Sequence, residues 1–207
     1  AFAPHFDQCN EIHALPIPGR ASDFVPQVIS PVDLGRPCEA NNRFGSSFAL
    51  LGDQLVVSAP RESARAESSP QLFDGEIYLF APGRDPDASN NQQRWQLAEI
   101  LRGDRFGLSF LGIQLQTSGE RIFTTIVQPF TPIPPTPSDV SILRQTGIAV
   151  LARDGRGEWQ RQSNIQLPSG EPLQISHYLL AGDQVLLSAF NTQSNEFEIL
   201  VYEESIT

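Results

Sequence analysis

The sequence predicts an all-β protein built from a repeated antiparallel sheet, and three observations carry the prediction. First, two short apolar runs around a Gly-acidic turn occur three times at intervals of about 65 residues, from Phe48 to Pro60, Ile113 to Ile126 and Tyr178 to Phe190. A period of this size marks one supersecondary unit used several times. Second, the apolar residues of each unit alternate or cluster over about four to seven positions between turn residues, the pattern of short strands. Third, Pro4, Pro16, Pro18, Pro26, Pro31 and Pro37 crowd the opening of the chain. Proline lacks the N–H a helix interior needs, which excludes a long helix beyond residue 15.

The elements follow in order. Residues 1–42 form a Pro-rich N-terminal segment, in which His5 to His13 is read as two helical turns and Phe24 to Ser30 as a strand with an edge proline. Residues 43–207 hold three repeats, at about 43–104, 105–170 and 171–207. The first opens at Phe44-Gly45, makes a Gly52-Asp53 hairpin, and continues through Gly75 to Phe80 and Trp95 to Leu101. The second repeats that order at Phe106-Gly107, Gly119-Glu120, Gly147 to Leu151 and Trp159 to Leu167. The third has its hairpin at Gly182-Asp183 and a strand at Phe197 to Tyr202, then lacks a fourth strand. Phe24 to Ser30 precedes the first Phe-Gly pair as Trp95 to Leu101 precedes the second, so it is expected to fill that vacant edge. An unpaired strand is a template for aggregation, which gives the filling a reason. Four-stranded units that close by lending a strand across the termini describe a β-propeller array of three antiparallel blades, incomplete or completed by a partner.

Composition narrows the function. The chain of 207 residues carries 14 basic and 24 acidic side chains, a net charge of -10. Such a surface repels phosphate backbones and excludes nucleic acid as a partner. No run approaches the roughly 20 apolar residues that span a bilayer, so no transmembrane segment is expected, though attachment to a membrane complex stays compatible. The start Ala1-Phe2-Ala3-Pro4 reads as a mature end left after signal-peptide removal. Cys9 and Cys38 are the two cysteines and are expected to form one disulfide, worth about 3 to 4 kcal/mol by loop entropy. Both features point to export, into a periplasm or the extracellular space.

The stretch Arg43-Phe44-Gly45-Ser46-Ser47-Phe48-Ala49-Leu50-Leu51-Gly52-Asp53 through Ser58-Ala59-Pro60, followed by Gly75 to Phe80 and Trp95-Gln96, resembles an FG-GAP repeat, the blade of integrin-α-like propellers. The resemblance spans residues 43 to 202 and weakens in the third unit, which lacks Phe-Gly. It implies a propeller used in extracellular recognition. Three blades do not close a ring of the usual four to eight or so. Either a second copy makes a six-bladed ring, the chain continues, or other subunits complete an arc.

The same resemblance raises the question of calcium. A hard cation needs about six to eight oxygens, which none of the hairpins offers, and the nearest oxygen cluster, with Asp85, Asp87 and Asn90, reads first as a solvated turn and only weakly as a metal site. No cofactor is expected. His5, Cys9, His13 and Cys38 match no standard zinc spacing. Arg102-Gly103-Asp104 is read as a turn at a unit boundary rather than a recognition tripeptide. The most unusual segment runs through Pro129, Phe130, Pro132, Ile133, Pro134, Pro135 and Pro137. Its preordered backbone and apolar side chains make it the candidate partner-binding loop, against a rigid connector as the plainer reading. No nucleophile elbow, metalloprotease motif or phosphate loop occurs, so an enzyme is not expected. The expectation is a non-catalytic, exported protein-binding or structural subunit of an envelope or extracellular assembly, bound to other subunits or to a second copy of itself. The alternatives are a free-standing adhesin or carbohydrate-binding propeller module and, behind that, a propeller hydrolase or lyase.

Overall fold

The computed structural model describes residues 11–14, 27–31, 34, 43–60, 74–84, 93–130, 142–168, 173–182 and 184–203. Among these the chain is all-β, in four antiparallel sheets. Strands β1 (Ile12–Ala14) and β2 (Gln27–Ile29) pair with each other alone. Strands β3 (Phe48–Leu51), β4 (Gln54–Ala59), β5 (Glu76–Arg84) and β6 (Gln93–Arg102) form a meander, hereafter sheet one. A single turn of helix, α1 (Gly103–Phe106), leads into sheet two, with β7 (Leu115–Ser118), β8 (Arg121–Phe130), β9 (Ile142–Arg153) and β10 (Trp159–Gln166). Sheet three has three strands, β11 (Leu173–Ala181), β12 (Gln184–Asn191) and β13 (Glu196–Glu203).

The three expected hairpins form where glycine permits them. Gly52, Gly119 and Gly182 have φ of 60°, 58° and 67°, between the pairs Leu51↔Gln54, Ser118↔Arg121 and Ala181↔Gln184. Glycine at the first central position of a two-residue turn matches the twist of the flanking strands.

The structure moves the second unit's opening. Sheet two repeats sheet one at an offset of 67 positions, since β3 begins at 48 and β7 at 115. At that offset Arg43 and Phe110 both have φ of 56°, and Gly45 and Gly112 have φ of 77° and 90°. The turns close alike, Ser46 N–H on the Arg43 carbonyl at 3.0 Å and Ile113 N–H on the Phe110 carbonyl at 3.3 Å. The counterpart of Phe44-Gly45 is therefore Leu111-Gly112. Phe106-Gly107 instead ends α1, with Gly107 in the left-handed conformation that caps a helix.

The sheets stack face to face. One core lies between sheets one and two, with Val56, Ile77, Leu79 and Leu101 meeting Ile122, Ala149, Leu151 and Trp159. A second lies between sheets two and three, with Phe123, Ile148 and Val150 against Ile175, Tyr178, Val185 and Leu187. The third lies under the small β1–β2 sheet, where Ile12 and Ile29 cover Phe44, Val57, Tyr78 and Phe80 of sheet one. Strand β7 runs beside both β3 and β11, so the first strand of each sheet sits at a common inner edge.

Two expectations for the N-terminal segment change. Ile12 and His13, the end of the expected helical turns, lie instead in strand β1, paired with Ile29 and Val28, with Ile12 buried and His13 exposed. Strand β2, expected at the vacant edge of the last sheet, pairs with β1 in the register Ile12↔Ile29. That register turns both isoleucines onto sheet one, where their side chains leave water.

Candidate functional site

Each joint between sheets combines an apolar interior with polar side chains that satisfy backbone at the inner edge. At the first joint the Ser47 hydroxyl accepts from Leu115 N–H at 3.1 Å and donates to the Leu115 carbonyl at 3.3 Å. Thr117 donates to the Leu50 carbonyl at 2.5 Å, and at the outer side Arg153 meets Glu99 at 3.0 Å. At the second joint Gln116 donates to the Tyr178 carbonyl at 2.5 Å and accepts from Leu180 N–H at 3.1 Å. Gln114 donates to the Ser176 carbonyl at 2.6 Å. The Tyr178 hydroxyl reaches back to the Phe123 carbonyl at 2.7 Å, and burial pushes its phenol far above the ordinary range.

Among the described residues, none covers the outer face of sheet three in this way. Cross-strand pairing brings Leu179, Leu186 and Val201 into one row, sets Ile199 opposite Ser188, and places Phe190 opposite Phe197. The two rings are 5.0 Å apart. Phe197 is 66% exposed, Ile199 68%, Val201 55% and Leu179 57%. The alternation of β13 explains this, since Leu200 and Tyr202 point into the core while Phe197, Ile199 and Val201 point away. Among the described residues of that face, the ionisable groups are His177 and, at the margin, Glu203. Strand β13 is also an edge, since the sheet ends there.

The opposite end of the stack is only partly covered. Phe48 (57% exposed) and Leu50 (62%) lie on the face of sheet one turned away from sheet two, on the inner strand beyond the reach of β1–β2. The other large exposed hydrophobics among the described residues, Val28 and Leu97, lie on this same end. Every large exposed apolar side chain described thus belongs to one end face or the other. A recess of about 720 Å³ opens between β2 and β6, lined by Gln27, Val28, Arg94, Trp95, Gln96 and Leu97.

Glu76 and Arg102 illustrate charged groups that bond within the fold. Glu76, buried, accepts from Tyr78 hydroxyl at 2.7 Å and from Arg102 Nε at 3.1 Å, and Arg102 stands directly across the ladder from it. Arg102-Gly103-Asp104 is thereby committed to a strand end and the start of α1. His13 is exposed and 3.6 Å from Glu11, and His177 is exposed with Nδ1 3.1 Å from the Ser176 hydroxyl. Among the described residues no three His, Cys, Asp or Glu side chains are grouped to hold a metal, and no helix is long and apolar enough to cross a membrane.

Cys9, Cys38, Asp85, Asp87, Asn90, Pro132, Ile133, Pro134, Pro135 and Pro137 lie outside the described residues. Pro129 and Phe130 form the last rungs of β8, opposite Leu143 and Ile142, and their side chains lie outside the description. The end faces were missed from sequence, although β13 carries their signal. Apart from Glu198, Phe197 to Tyr202 is apolar on both alternate sets, as strands covered on two sides are, whereas Trp159 to Gln166 is apolar on one. Comparison with protein-family models, curated proteins and solved structures finds no match.

Proposed function

We propose that this chain is a non-catalytic structural or protein-binding subunit whose sheets are FG-GAP-like propeller blades, and that its end faces are where the assembly forms. The observation that carries the reading is the row of Phe197, Ile199 and Val201, each more than half exposed on a face with almost no charge. Contiguous apolar surface of this kind, on a chain with net charge -10, marks an interaction site. The 67-position register shared by sheets one and two supports the blade reading, because it repeats the opening turn and the hairpin together. The test is a photo-crosslinking residue at Ile199 in the protein produced in its own source, with Gln162, exposed on β10, as control. An adduct with a polypeptide at 199 and none at 162 supports the reading, and equal labelling or none at both overturns it.

A second reading has one favourable observation. The recess between β2 and β6 sets an aromatic ring, the Gln96 amide and a guanidinium around an apolar floor, chemistry suited to a sugar. It makes the chain a free-standing carbohydrate-binding module. Glycan titration followed by tryptophan fluorescence decides it, since a saturable change lost in Trp95→Phe supports the module and a flat titration removes it.

A further inference from the structure

We infer that a second copy of this chain covers both end faces, so that two stacks close head to tail into one ring of six sheets. The inference rests on the assembly reading above and names its partner.

The first support is that the uncovered surfaces come as a pair on one molecule. Sheet three leaves Leu179, Ile199 and Val201 open, and sheet one leaves Phe48 and Leu50 open at the other end. A second copy placed head to tail covers both ends of both molecules. An unrelated partner at sheet three leaves Phe48 and Leu50 in water. A head-to-tail contact closes when its rotation divides the circle, and otherwise propagates as a filament.

The second support is the geometry of the joints already present. Strand β7 packs beside β3, and β11 packs beside β7 as well as against β9, so at both joints the inner strand of one sheet meets the inner strand of the next. Continuing that rule places β11, with Leu179, beside β3 of a second copy, with Leu50. The exposed residues thus occupy the positions that the next joint in the series uses.

The third support is area. A face of three eight-residue strands measures about 26 Å by about 14 Å, or roughly 370 Å², from strand rise and spacing. One such face falls well below the roughly 800 Å² per partner of a stable complex, and the second contact, against the part of sheet one's face that β1–β2 leaves open, adds to it. Closure through both ends therefore holds where a single end-to-end contact is weak. Charge does not oppose it locally, because the described residues of the sheet-three face carry ionisable groups only at His177 and at marginal Glu203.

The experiment is sedimentation equilibrium on the purified full chain and on variants at exposed positions. The expected result is twice the chain mass for the wild type, and the chain mass for Ile199→Glu and for Leu50→Glu at the same concentration. The double variant Leu50→Glu, Leu179→Lys is expected to return to the doubled mass, because the new charges face each other across the joint. Circular dichroism and melting of each variant show that the sheets remain formed. A monomeric wild type overturns the inference, and so does a ladder of masses, which means an open filament. Dimer loss with Ile199→Glu but not with Leu50→Glu also overturns it, since two sheet-three faces then meet each other. If the pure chain is monomeric while the crosslink at Ile199 captures a different polypeptide, the assembly reading stands and the second copy is excluded.

Discussion

The side-chain amide of Gln27 bonds to the backbone of Trp95 as a neighbouring strand would. Its Nε2 donates to the Trp95 carbonyl at 3.1 Å and its Oε1 accepts from Trp95 N–H at 2.8 Å. One residue of β2 thereby ties the small sheet to the edge strand β6.

Gln27→Ala is expected to lower stability by about 1 to 3 kcal/mol, because it leaves a donor and an acceptor of Trp95 without these partners. Urea unfolding measures the loss. Before any urea is added, the folded variant's tryptophan emission should shift to the red through Trp95 alone, as Trp159 is fully buried in another core.

The 67-position register makes opposite demands on two glycines only five residues apart. Gly112 has φ of 90°, and an added Cβ would lie 2.5 Å from the Ser58 Cβ, whereas at Gly107, with φ of 64°, an added Cβ meets nothing within 4 Å. Gly107→Ala should cost about 1 to 2 kcal/mol, the strain of a left-handed residue alone. Gly112→Ala should cost clearly more. Equal losses in thermal melts would return the repeat to Phe106-Gly107.

Tyr178 sets an alkaline limit. Burial raises its phenol pKa in the folded chain, while the unfolded chain ionises near the ordinary value of about 10. Below about pH 10 both states hold the proton; above it only the unfolded state releases it, so stability falls by about 1.4 kcal/mol per pH unit from this group. Tyr178→Phe is expected to flatten that fall while costing about 1 kcal/mol at neutral pH through the lost bond to the Phe123 carbonyl. Denaturant unfolding at pH 8, 10 and 11 checks both signs.

Glu76 separates charge from hydrogen bonding. Glu76→Gln keeps an acceptor for Arg102, and its amide can donate to the Tyr78 oxygen, so the loss should stay near 1 kcal/mol. Glu76→Ala removes both contacts at a buried site and opens a cavity, with an expected loss of about 2 to 4 kcal/mol. The two melting temperatures, compared at one pH, test the order.

Most strands and all three hairpins were legible because their cues are local. Gly52, Gly119 and Gly182 mark turns by themselves, and alternation marks the strands on either side. The second Phe-Gly pair misled because Phe106-Gly107 has the same local spelling as Phe44-Gly45 but sits at a helix end. Ile12 and His13, read as the end of two helical turns, are in a strand because a short apolar pattern fits either period until a partner strand decides.

The sequence by itself determined the all-β class, the repeat and its turns, since these follow from side-chain alternation and from the φ that glycine permits. Only the tertiary structure decided that β2 pairs with β1, that Leu111-Gly112 opens the second unit, and that Phe48, Leu50, Phe197, Ile199 and Val201 are left uncovered. Those outcomes depend on which sheet meets which face. An apolar side chain is the same letter whether a neighbouring sheet buries it or water surrounds it, so burial is settled by packing between segments far apart in the chain.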